Sequence, residues 1–148
     1  MTITITPYLL CADVDAALAF LARAFGFEEV LRYSAADGRV THAEARLGDA
    51  HVYLGDPTTA EHEYRNPAAL GGVTVLVVVS GVGDVDALCE RARAAGAQIT
   101  DEPADQDYGE RRFAATDPEG HRWFFSQPIA QVAPQDGGAT TPADSSAG

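Results

Sequence analysis

His42, Glu44 and His51 are the residues of this sequence whose types and spacing could do proton chemistry. His42 and Glu44 stand two apart in a stretch that alternates polar and apolar residues, so as a strand they share one face. His51 falls on the next such stretch, and neighbouring strands can bring an imidazole and a carboxylate within hydrogen-bonding reach. A His with a Glu does general acid and base work, and with a second His it could hold a metal ion. The plainer reading is a solvated strand face. A second group lies at residues 101–107, where Asp101, Glu102, Asp105 and Asp107 precede Tyr108. It reads as an acidic loop offering countercharge and a stacking ring to a cation. His62 and Tyr64 fall between strand patterns and could cover a cleft, while His121 follows a turn and is expected to be exposed. There is no Gly-rich phosphate loop, GxSxG elbow, HExxH helix or basic patch with interleaved aromatics.

The elements that must position these residues are written twice. Asp13-Val14-Asp15-Ala16 returns as Asp84-Val85-Asp86-Ala87, 84 − 13 = 71 positions later. Each copy opens a stretch with apolar residues at helical spacing that closes on Gly26 or Gly96, which predicts helices over about 14–25 and 85–95, each with an Asp N-cap. Strand patterns cover about 3–11, 27–33, 39–47 and 51–54 in the first half. In the second half they cover 73–79, 97–100, 111–116 and 121–126. The order is βαβββ, twice. Residues 57–72, with Asp56-Pro57, Asn66-Pro67 and Gly71-Gly72, read as a linker between module 1 (about 3–56) and module 2 (about 73–128). Residues 129–148 lack an apolar period and read as a disordered tail, leaving one domain over 1–128.

Composition narrows the partners. A chain of 148 residues with 46% hydrophobic content suffices for one domain and its core. All ten basic residues are Arg, against 22 acids, for a net charge of −12; a surface of this sign repels phosphate, so nucleic acid and anionic membranes are poor partners. The first twenty residues lack a basic start and a long apolar run, so a cytoplasmic protein is expected, with Cys11 and Cys89 reduced and buried.

Several pieces taken in order resemble a known superfamily. They are residues 10–13 leading into Ala16, Phe20 and Phe25-Gly26-Phe27; Asp84-Val85-Asp86-Ala87-Leu88 running to Ala95-Gly96-Ala97; Tyr108-Gly109-Glu110-Arg111-Arg112-Phe113; and Asp117-Pro118-Glu119-Gly120-His121. Together they resemble the vicinal oxygen chelate proteins, which include glyoxalase I, extradiol dioxygenases and the fosfomycin- and bleomycin-resistance proteins. The resemblance implies an α+β fold of two tandem βαβββ modules forming a curved eight-stranded cup, usually in a homodimer. In metal-dependent members four cleft side chains hold a divalent ion. Carried onto this sequence, those positions are Thr6, Tyr53, a residue of the stretch 74–77 such as Val77, and Phe124. That set cannot cage a divalent ion.

The resemblance therefore points to the branch without metal or other cofactor, similar to the bleomycin-resistance proteins, which sequester a small aromatic or cationic molecule. Its implied ligand-binding residues are Thr6, Tyr8, Tyr53, Tyr108, Arg112, Arg122 and Phe124. Alternation places Tyr8 and His51 on the face of Thr6 and Tyr53, and Arg122 and Ser126 on the face of Phe124. It sends Ala43, Ala45, Leu47, Trp123 and Phe125 to the core. The alternative is a glyoxalase-like lyase or isomerase, or an oxygenase, working through His42, Glu44 and His51.

Overall fold

A computed structural model describes residues 1–59 and 64–130 of the chain. Module 1 comprises β1 (Tyr8–Leu10), α1 (Val14–Phe25), β2 (Glu28–Ser34), β3 (Val40–Leu47) and β4 (Ala50–Gly55). A short helix α2 (Pro67–Leu70) leads to module 2: β5 (Leu76–Ser80), α3 (Val85–Ala94), β6 (Gln98–Asp105), β7 (Glu110–Thr116) and β8 (Arg122–Pro128). The wiring is the same in both. The sheets run β1-β4-β3-β2 and β5-β8-β7-β6, with the first pair parallel and the rest antiparallel. This is the α+β architecture of paired βαβββ modules, its eight strands divided four and four. No helix among the described residues is long and apolar enough to cross a membrane.

Local chemistry sets the helix ends. The Asp13 carboxylate accepts from the Ala16 N–H at 2.9 Å, and Asp84 does the same for Ala87 at 3.0 Å. Gly26 ends α1 in the left-handed region at φ 83°, a conformation that costs a side chain but not glycine. The apolar faces of both helices and one face of each sheet merge in a single core. Its joint is aromatic: the Phe25 ring lies 5.3 Å from Trp123 and 4.6 Å from Phe125, and Phe27 lies 5.6 Å from Trp123. Arg91 on α3 donates to the carbonyls of Arg23 and Ala22 at 2.7 and 2.8 Å, satisfying the open C-terminal end of α1 from the other module.

Three expectations need correction. The first strand is short, because residues 1–6 stay outside the ladder, with Ile3 and Ile5 86% and 96% exposed. The acidic stretch at 101–107 is largely strand rather than loop, since β6 continues to Asp105 through two register shifts at which Thr100 and then Glu102 and Pro103 drop out of the pairing. The turn at residues 117–120 is a brace between modules, and His121 is half-buried, its Nε2–H donating to the Leu10 carbonyl at 2.8 Å. The reading of His62 as part of a flap falls outside the described residues, as does most of the tail.

In that brace the Glu119 carboxylate, only 8% exposed, accepts from the Ala12 and Asp13 amides at 2.7 and 3.1 Å and from Asn66 Nδ2 at 2.6 Å. Asp117 accepts from the amides of Glu119 and His121 and from the Trp123 indole N–H at 2.9 Å. Burial holds the Asp117 carboxyl above its usual range, although these donors and His121 pull the other way. A carboxyl raised by folding stabilises below its unfolded value and loses that contribution as pH climbs through the folded one. The stability of the wild type relative to Asp117→Asn should therefore fall as pH rises from about 4 toward neutrality, as urea midpoints across that range would register. A flat difference would contradict the assignment.

Cys11 and Cys89 are buried and unbridged, and burial pushes both thiols up. Ellman's reagent is expected to find no reactive thiol in the native protein and both after denaturation. Rapid labelling of the folded chain would refute this.

Candidate ligand-binding site

The face of the first sheet turned away from the helices carries a connected polar and aromatic group. Register sets Tyr8 beside Tyr53 and Tyr53 beside Glu44, with His42 opposite Gly55 on one side and Tyr33 on the other. Tyr8 Oη lies 3.0 Å from His42 Nδ1, and His42 Nε2 lies 3.4 Å from Glu44 Oε1. A carboxylate at Glu44 accepts from an Nε2–H, and in that tautomer Nδ1 accepts from the Tyr8 hydroxyl. The His42 ring is walled by Tyr8, Tyr53 and Tyr33, with centroids at 5.5, 5.6 and 5.9 Å. Partial burial pushes the Tyr8 phenol up, so the hydroxyl keeps its proton and leaves its lone pairs to a ligand donor.

Gly55 makes this approach possible. A Cβ there would sit 2.5 Å from Tyr8 Oη and 2.7 Å from the ring carbon that bears it. His51 shares the face but stands opposite Arg46 and takes no part in the Tyr8–His42–Glu44 chain. Tyr8→Phe is expected to leave stability within about 0.5 kcal/mol, since the side chain is exposed. It should also convert the single Nε2–H tautomer of His42 into a mixture, visible in imidazole ¹H–¹⁵N spectra. An unchanged tautomer would show that Tyr8 does not set it.

The open face of the second sheet is of another kind. Across β5, β8 and β7 it carries three rows: Leu76, Arg122 and Thr116; Val78, Phe124 and Ala114; Ser80, Ser126 and Arg112. The Arg112 guanidinium carbon lies 4.9 Å from the centre of the Phe124 ring. Trp123 and Phe125 point to the core, as alternation requires. At the seam between the modules lies a cleft of about 740 Å³, lined by Thr6, Tyr53, Glu44, His51, Val77 and Val78, among others.

A sequence model of the Glyoxalase/Bleomycin resistance protein/Dioxygenase superfamily matches residues 4–125. The chain belongs to this superfamily. An uncharacterized protein of Mycobacterium bovis is 35% identical over 130 residues, spanning 86% of this chain and 85% of its own length. An uncharacterized protein of Mycobacterium tuberculosis is 35% identical over 86% of this chain and 76% of its own. Among solved structures, TioX from Micromonospora sp. ML1 is 29% identical with a TM-score of 0.68, covering 86% of this chain and all 100% of TioX. A glyoxalase/bleomycin resistance protein/dioxygenase from Nocardioides, 23% identical with a TM-score of 0.66, spans 92% of this chain and 90% of its own; at that identity it speaks for the fold alone.

Members of the glyoxalase superfamily often use a divalent metal, so the corresponding positions can be tested for fit. Thr6, Tyr53 and Val77 line the same cleft, but Val77 turns to the core opposite Trp123, and it is Val78 that shares the face of Phe124. A hydroxyl, a phenol, an aliphatic chain and an aromatic ring supply no divalent cage. Among the described residues no group of three or more His, Cys, Asp or Glu is placed to hold an ion. These residues do not fit the superfamily's metal.

The remaining sequence candidates are scattered. Tyr108 stands exposed on the hairpin turn between β6 and β7, and Arg122 is exposed on the second sheet. The acids meant to attract a cation are partly engaged: Glu102 pairs with Arg93 at 2.7 Å and Asp105 with Arg111 at 2.9 Å. Tyr33 and Gly55 are gains from the structure. Tyr33 could have been found from its alternation along β2, whereas the value of Gly55 depends on strand register, which the sequence does not display.

Proposed function

We infer that this chain binds a small, flat aromatic molecule in the cleft between modules, without the superfamily metal and without transforming the ligand. The observation carrying this reading is that Thr6, Tyr53 and Val77, standing at positions used elsewhere for metal ligands, line that cleft, beside an edge-to-face pair of Tyr8 and Tyr53 rings 6.1 Å apart. Sequestration of an aromatic antibiotic of the bleomycin type is one use of such a site. A homodimer suits the layout, because Ile3 and Ile5 are exposed apolar residues on the segment before β1. Titration calorimetry and thermal shift against bleomycin-type and other aromatic drugs test the reading, with sedimentation testing the dimer. Silence across a broad panel would overturn it.

The Tyr8–His42–Glu44 chain favours a second reading, a glyoxalase-like lyase or isomerase, or an oxygenase, in which Tyr8 delivers or accepts a proton through His42. A stoichiometric metal in protein purified without chelators, or turnover abolished in His42→Gln, would favour it over simple binding.

A further inference from the structure

We propose that the open face of the second sheet recognises an acidic group, so that the ligand is an aromatic molecule bearing a carboxylate or another single oxyanion. This rests on the aromatic-binding reading above and adds the ligand's charge.

The argument begins with strand register. Ser80, Ser126 and Arg112 lie in line across β5, β8 and β7, next to the apolar line of Val78, Phe124 and Ala114. A flat ring laid on Val78 and Phe124 would bring a substituent over the two hydroxyls and the guanidinium. Val78 is 62% exposed, so the surface is open to a ligand in the single chain.

Arg112 is free for that role. Arg32, Arg39, Arg46, Arg93 and Arg111 each hold a carboxylate. Arg112 makes no ion pair among the described residues, in a chain with 22 acids and a net charge of −12. Its neighbour is the Phe124 ring, which engages the guanidinium through its charge and leaves the N–H fork for a planar oxyanion.

Ser126 supplies the independent observation. Its side chain is 1% exposed, and its Oγ has no hydrogen-bond partner among the described residues. Buried hydroxyls are rarely left so, because an unmet donor keeps its full desolvation cost. Alternation sets this hydroxyl on the face of Arg112 and Phe124, directly opposite Arg112, and away from the core. An oxyanion held by Arg112 would accept its proton. A cationic group over Ser80 and Ser126 would meet repulsion from Arg112.

Calorimetric titration with 2-naphthoate, its neutral analogue 2-naphthamide and the cation 2-naphthylmethylammonium reads the charge preference directly. The naphthoate is expected to bind about tenfold or more tightly than the amide, with the ammonium weakest. Arg112→Met, which keeps the apolar stem, should bring acid and amide within about twofold; Arg112→Lys should retain part of the preference; and Ser126→Ala should weaken the acid more than the amide. Equal or tighter binding of the amide by the wild type overturns the proposal while leaving the aromatic reading standing. A preference that survives in a folded Arg112→Met also overturns it. Failure of all three probes to bind removes both readings.

Discussion

Glu119→Ala is expected to cost about 3 kcal/mol of folding stability, a larger loss than replacement of any exposed acid, because it strips three donors of their acceptor in a buried place. Those donors belong to two separate parts of the chain: the Ala12 and Asp13 amides before α1, and Asn66 at the start of α2. Asn66 also accepts from the Ala69 amide at 3.1 Å, so losing Glu119 loosens the cap of α2 as well. Glu119→Gln is a sharper probe, because its amide group would have to point an N–H at an N–H; roughly 2 kcal/mol of loss is expected from it. Urea unfolding followed by the fluorescence of the single Trp gives both values. A loss under about 1 kcal/mol for the alanine variant would show that water replaces the carboxylate at little cost.

Trp123→Ala should be costlier still, at about 4 kcal/mol, in the range typical of a fully buried large aromatic. The indole joins the modules, touching Phe25 and Phe27 from the first and stacking on Phe125 at 6.0 Å within the second. It also gives its N–H to Asp117, whose carboxylate would be left buried with one donor fewer. Trp123→Phe separates the two contributions, since it keeps a ring but not the N–H, and about half of the alanine loss is expected. Far-ultraviolet circular dichroism must report here, because the substitution removes the fluorophore. Equal losses for Phe and Ala would assign the whole effect to the hydrogen bond, and a near-zero loss for Phe would assign it to packing.

Much of the frame was legible in the sequence, because helices and alternating strands announce themselves locally. Asp13 and Asp84 mark helix starts by a rule involving three residues, and α1 runs over the predicted 14–25. The alternation of His42, Ala43, Glu44 and Ala45 is a property of one strand, and it sorted core from open face correctly. What failed to show depends on contacts between distant segments. Glu119 in a turn reads as a good turn residue, and that its carboxylate reaches Ala12, 107 positions away in sequence, is invisible until the fold is built. His121 read as exposed for the same reason. The stretch at 101–107 misled because acids and a proline are poor strand formers, yet Arg93 and Arg111 supply the countercharge that lets β6 extend. Tyr8 was drafted to the cleft by alternation, but its bond to His42 required the bare backbone at Gly55.

The duplicated halves are equal in wiring and unequal in dependence. The start of α3 is served within its own module, where the Val85 amide donates to Gln127 on β8 at 2.5 Å. The start of α1 is served from outside, by Glu119, and its far end by Arg91. Module 2 therefore lends to module 1 at both ends of a helix and borrows neither end of α3 in return, so opening of the second half strips both ends of α1 as well as the shared core. In native-state hydrogen exchange such a hierarchy places the amides of Ala12 and Asp13 under the control of a turn more than a hundred residues downstream. The chain thus carries a direction of control between two copies of one design.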